Sequence, residues 1–142
     1  RGTPMTYFNY TDFGFPDAYA LIIEGNRPWL EAHPEKADKF VAALHRGYTF
    51  AADHPEEAAQ LLIQANPGAF SDEELVYESQ RMLSADYMRD ETGRVGWQTL
   101  EQWTGYSKFL FDHGLLTGPD GSPLTEEPDW STYFTNEYLS GP

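Results

Sequence analysis

Met5-Thr6-Tyr7-Phe8-Asn9-Tyr10 and Tyr19-Ala20-Leu21-Ile22-Ile23-Glu24 are the two stretches on which the fold reading turns. Both are rich in aromatic and aliphatic residues, the composition that fits a pleated, half-buried surface. Between them Thr11-Asp12-Phe13-Gly14-Phe15-Pro16-Asp17 reads as a rigid turn. Gly14 permits positive φ, while Pro16 fixes its own φ and pushes Phe15 toward extended geometry. Gly25-Asn26 ends the second run. A lone two-stranded ribbon is marginal in water, and the region from Thr3 to Glu24 is too apolar to be surface decoration. The two runs therefore read as members of a larger sheet whose other strands are not in this chain. The expected class is α/β, mostly helical here: two strands followed by about six helices.

The helices announce themselves by their starts. Asn26 precedes a short helix, Arg27-Pro28-Trp29-Leu30-Glu31-Ala32, closed by His33-Pro34. His-Pro-Glu then opens two helices, at His33-Pro34-Glu35 and His54-Pro55-Glu56, since proline and carboxylates suit a first turn. The first carries Ala37, Phe40, Val41, Leu44, Tyr48 and Ala51 on one stripe, and the second Ala58, Leu61, Leu62 and Ala65. Ser71-Asp72-Glu73-Glu74 reads as a capping box with Ser71 at the cap, leading a helix to about Met88. A further helix from about Trp97 carries Leu100, Trp103, Ser107, Leu110 and Phe111, and stops at His113-Gly114-Leu115. A Gly/Pro-rich acidic loop follows, then a last short helix from Asp129 with Trp130, Phe134 and Tyr138 on one side. No low-complexity linker divides the chain, so residues 1–142 read as one domain, with 1–25 as strands and 26–142 as the helical part.

Composition narrows the chemistry. With 40% hydrophobic and 15% aromatic residues, disorder is not expected, and 142 residues suffice to bury a core. A formal net charge of -14 argues against nucleic acid and against anionic membrane surfaces, which both demand clustered Lys and Arg. The absence of cysteine removes disulfides, thiolate metal sites and cysteine nucleophiles. No stretch has the apolar length of a membrane span, and no signal peptide is visible.

Catalytic patterns are absent. His33, His45, His54 and His113 lack a second ligand at metal spacing, and no serine sits in a Gly-x-Ser-x-Gly elbow. The acidic pairs at Glu56-Glu57 and Asp72-Glu73-Glu74 read as first-turn carboxylates, and Phe40, Trp103, Phe111 and Phe134 as core. The exception is the turn itself. Tyr10, Phe13, Phe15 and Tyr19 gather with Asp12 and Asp17 at a strand end, where open α/β sheets bind ligands. Aromatic faces with a few fixed acceptors suit a flat, nitrogen-bearing heterocycle. The plainer alternative is that the rings plug a sheet edge.

The segment Asp12-Phe13-Gly14-Phe15-Pro16-Asp17-Ala18-Tyr19 resembles the D-Y-G-V-P-x-Y-Y turn of the NMT1/THI5-like family. The resemblance continues through His33-Pro34-Glu35, Arg46-Gly47-Tyr48, His54-Pro55-Glu56-Glu57-Ala58-Ala59 and Phe134-Thr135-Asn136-Glu137-Tyr138-Leu139, covering nearly the whole chain in order. Phe13 and Phe15 stand where the family often has Tyr and Val.

This resemblance implies a periplasmic-binding-protein-like (type II) fold of two lobes hinged around a cleft, with the present chain as its C-terminal portion. It implies a solute-binding component of an ABC importer that takes a thiamine-precursor pyrimidine or similar heterocycle, with no catalytic residue, metal or cofactor. Tyr10, Phe13, Phe15 and Tyr19 would stack and Asp12 would accept ring N–H groups. The partners would be the small ligand and a membrane permease. The location of the full-length parent would be periplasmic, or extracellular on a lipid anchor. An open sheet edge would also promote self-association of the piece. Two alternatives remain. A pyrimidine-precursor synthase of the same superfamily would need a Schiff-base lysine, whereas Lys36, Lys39 and Lys108 all lie on helices, and cysteine is missing. A helical interaction module would instead lend its strands to a partner's sheet.

Overall fold

The computed structural model describes residues 4–139; residues 1–3, at the head of the segment read as strands, lie outside them. Among the described residues five α-helices form: α1 (Arg27–Ala32), α2 (Pro34–Asp53), α3 (Pro55–Ala65), α4 (Glu73–Asp86) and α5 (Leu100–Asp112). The described chain makes two compact units. One combines the described parts of Arg1–Glu24 with Gln98–Thr135, the other Gly25–Trp97 with the described end of the chain. Each unit is assembled from two separate stretches, so no single linker divides them.

The expected strands are not there. Among the described residues β pairing is limited to two isolated bridges, Arg89 with Val95 and Thr117 with Pro123. The runs at 5–10 and 19–24 do not pair, and Tyr10–Phe13 winds into a 3-10 turn instead. The reason is that β propensity expresses itself only in a ladder. Without a neighbouring strand to take its N–H and C=O groups, an apolar run stays irregular.

The helix starts follow local chemistry. The Asn26 side chain accepts the Trp29 N–H at 3.1 Å and caps α1. His33 and His54 each stand alone between consecutive helices, at φ -139°, ψ 50° and φ -130°, ψ 61°. Pro34 and Pro55 impose this, because a residue before proline is pushed out of the helical region. For α4 the cap is Asp72, one residue beyond the expected Ser71; its Oδ1 accepts the Leu75 N–H at 3.2 Å. Helix α5 starts at Leu100 rather than near Trp97, with Thr99 as its cap. It ends as expected, with Gly114 at φ 65°. The Leu115 N–H reaches the Leu110 carbonyl at 2.9 Å, and the Gly114 N–H reaches Phe111 at 2.9 Å, the paired bonds of a Schellman motif. The expected last helix is only a 3-10 turn, Trp130–Thr132. Asp129 Oδ1 accepts from Ser131 N–H and hydroxyl, and the Thr132 hydroxyl donates to the Asp129 carbonyl. Such short polar side chains hold the backbone in a turn in competition with helix.

In the second unit α3 and α4 pack on each other and on α2. A helix C-terminus leaves four carbonyls without intrahelical partners, and α4 supplies one of them. The Ser84 hydroxyl donates to the Ala51 carbonyl at 2.9 Å, with Gln80 Nε2 at 3.4 Å. Arg89 Nη2 ties Asp53 at 2.6 Å, beyond the end of α4. The core is thin. Among the described residues only Ala37, Ala59, Val95 and Trp130 are buried, and Phe40, expected in the core, is 57% exposed at the edge of its stripe. No helix among the described residues is long and apolar enough to cross a membrane.

Candidate functional site

The 10–19 turn is built by backbone bonds before any side chain acts. Gly14 sits at φ 83°, ψ 8°, and its N–H reaches the Thr11 and Tyr10 carbonyls. That left-handed conformation costs a side-chain-bearing residue energy and glycine none. The Asp12 N–H donates to Asn9 at 3.1 Å and the Phe15 N–H to Tyr10 at 3.3 Å. The result is a closed loop that projects residues 12 and 13 from its apex.

Two of the sequence-predicted site residues are tied to α5 in the same unit. The Phe15 ring lies 4.7 Å from that of Phe109 and 5.8 Å from Tyr106, with Tyr10 edge-on at 5.3 Å. The Thr99 N–H, at the start of α5, donates to the Tyr19 hydroxyl at 2.8 Å. The Tyr19 ring stands 6.3 Å from Trp103, which stacks on Phe134 at 5.8 Å and 6°. Trp103 Nε1–H donates to Gln98 Oε1 at 2.6 Å, which fixes the indole. Trp103 and Phe134 are half-buried stacking partners here rather than enclosed core.

The remaining site residues face solvent. Phe13 is 75% exposed and meets Phe8 edge-on at 6.1 Å. Tyr10 is about half exposed. Among the described residues the carboxylates of Asp12 and Asp17 have no hydrogen-bond or ion-pair partner. The five predicted residues therefore divide into anchors, Phe15 and Tyr19, a bridging ring, Tyr10, and an outward pair, Asp12 and Phe13. Sequence reasoning missed Tyr106 and Phe109, although their signal was present: Trp103, Tyr106 and Phe109 recur every third residue along α5.

Elsewhere the titratable groups serve structure. His33 and His113 donate Nδ1–H to the carbonyls of Trp29 and Phe109 one turn back, and His33 stacks on Trp29 while His113 meets Phe109 at a tilt. An open groove between α3 and α4 is lined by Glu56, Glu57, Gln60, Glu74, Tyr77 and Arg81. Arg81 spans it, gripping Glu56 through two nitrogens and touching Glu74 at 3.3 Å. The Arg81 hydrogen bond holds the Glu56 carboxyl below its ordinary range. Its cation is thus committed within the groove.

Residues 1–58 match the sequence profile of the NMT1/THI5-like family. The chain is also 28% identical over 120 residues to the formylaminopyrimidine-binding protein of Halalkalibacterium halodurans. That alignment covers 84% of this chain and 36% of the relative, so the chain spans about a third of the length of the curated protein it matches.

Proposed function

We propose that this chain, whose residues 1–58 match the NMT1/THI5-like profile, forms part of a solute-binding protein whose ligand is a thiamine-precursor aminopyrimidine or a similar flat heterocycle. The observation that carries the reading is the 10–19 turn, where Phe13 is exposed and the neighbouring residue in sequence, Asp12, has a carboxylate without a partner among the described residues. A ring face stacks on a pyrimidine, and a carboxylate accepts its amino N–H groups. Formylaminopyrimidine binding by the relative supports this choice of ligand class.

In this reading the runs at 5–10 and 19–24 join the sheet of a two-lobed, periplasmic-binding-protein-like fold, of which this chain is the C-terminal part. Their exposure supports it, with Tyr7 at 88% and Leu21 at 92%. Ligand bound between the lobes shifts the open–closed population, and the closed form docks on an ABC permease outside the cytoplasm. No bond is made or broken, so the protein is not an enzyme.

The test is thermal-shift screening of the protein carrying this chain against formylaminopyrimidine, hydroxymethyl aminopyrimidine, thiamine, riboflavin and small sulfonates. Stabilisation by an aminopyrimidine is the expected result, since a ligand that binds only the native state raises its stability. No shift with any of them sinks the assignment. The same exposed runs favour a second reading, a helical module that adds strands to a partner's sheet. Ligand-independent self-association in light scattering would point there.

A further inference from the structure

We infer that α5 is the positioning element of the candidate site, holding the 10–19 turn so that Asp12 and Phe13, rather than Phe15 and Tyr19, meet the heterocycle. This rests on the pyrimidine reading above. The turn is pinned to one helix at three points. Phe15 packs against Phe109 and Tyr106 at 4.7 and 5.8 Å. Pro16 Cβ lies 4.0 Å from where a Cβ on Gly105 would stand, so the turn rides directly over the helix backbone. Tyr19 is fixed by the Thr99 N–H at 2.8 Å and by Trp103.

A Cβ at Gly105 would already be in van der Waals contact with Pro16, so a larger side chain there would press on the turn. Phe15 and Tyr19 have spent their rings, and Tyr19 its hydroxyl, on α5. The groups of the turn that α5 does not touch are the Tyr10 ring and the Asp12, Phe13 and Asp17 side chains, and of these Phe13 and Asp12 are the exposed pair at its 3-10 turn. Ordering such groups before the ligand arrives removes an entropic cost from binding. Trp103, Tyr106 and Phe109 are therefore positioning residues, and their effect on affinity runs through the order of the turn.

The experiment measures two quantities in the whole protein: amide exchange at Gly14 and Phe15 without ligand, and calorimetric affinity for hydroxymethyl aminopyrimidine. Phe109→Leu should speed exchange at both amides and weaken binding, each about tenfold, while Phe109→Tyr, which keeps the ring, should restore both. Phe13→Ala should weaken binding and leave exchange unchanged. If Phe109→Leu fails to fold by circular dichroism, Gly105→Leu replaces it and should produce the same pair of effects by lifting Pro16. Exchange that speeds up while affinity stays at the wild-type value overturns the inference, as does exchange that does not change. A wild-type protein that binds no pyrimidine refutes the ligand assignment, and the exchange rates then decide separately whether α5 orders the turn.

Discussion

Phe15 and Phe13 sit two residues apart in the same turn, and truncating them should cost the fold very different amounts. Removing a fully buried Phe side chain costs ~3–5 kcal/mol. Phe15 is 37% exposed, so about two thirds of that is at stake, or roughly 2–3 kcal/mol for Phe15→Ala. Phe13 is 75% exposed, and Phe13→Ala should cost about 1 kcal/mol or less. Urea unfolding followed by indole fluorescence reads the difference, because Trp103 and Trp130 lie in the same unit as the turn. With a slope of about 1–3 kcal/mol per molar urea, Phe15→Ala should lower the midpoint by about 0.7–3 M. The Phe13→Ala midpoint should move by a fraction of that. The division into anchor and outward residue is refuted if the two variants shift the midpoint equally, or if Phe15→Ala leaves it in place.

Two further outcomes follow from local geometry. Gly47 lies inside α2, and a Cβ there would meet nothing within 4 Å, so Gly47→Ala should raise stability by ~0.5–1 kcal/mol through helix propensity, and a fall in the melting midpoint would contradict it. Partial burial pushes the Asp90 carboxyl up, but hydrogen bonds from the Arg94 and Thr92 backbone and side chains outweigh it and hold the pKa at about 2. Its stabilising contribution is therefore complete above the ordinary value of 3.8 and disappears as pH falls through about 2. The urea-midpoint gap between wild type and Asp90→Asn should be widest near neutrality and close over that range; a constant gap would show that the carboxylate's charge is not what matters.

The helical part was legible because its boundaries are written locally. Asn26 and the two His-Pro pairs cap or break the chain through contacts within four residues, and His113-Gly114-Leu115 through contacts within five. Even the missed cap was a near tie: Ser71 and Asp72 are adjacent candidates, and the carboxylate holds the Leu75 N–H. The strands were not legible as present or absent, because a run such as Leu21-Ile22-Ile23 carries its propensity in its own residues but its structure in a neighbour. The site was half legible. Its aromatic and acidic members stand together in sequence, yet which of them are anchors depends on residues far along the chain; the Tyr19–Thr99 bond spans 80 positions.

The one-residue connections at His33 and His54 have a mechanical consequence. Elsewhere a flexible loop would let one helix reorient without disturbing the next. Here Pro34 and Pro55 lock their own φ, and two dihedrals of a single histidine set each angle. Helices α1, α2 and α3 thus form a linkage whose two angles depend on four dihedrals in all, so a substitution that shifts φ or ψ at His33 or His54 redirects a whole helix.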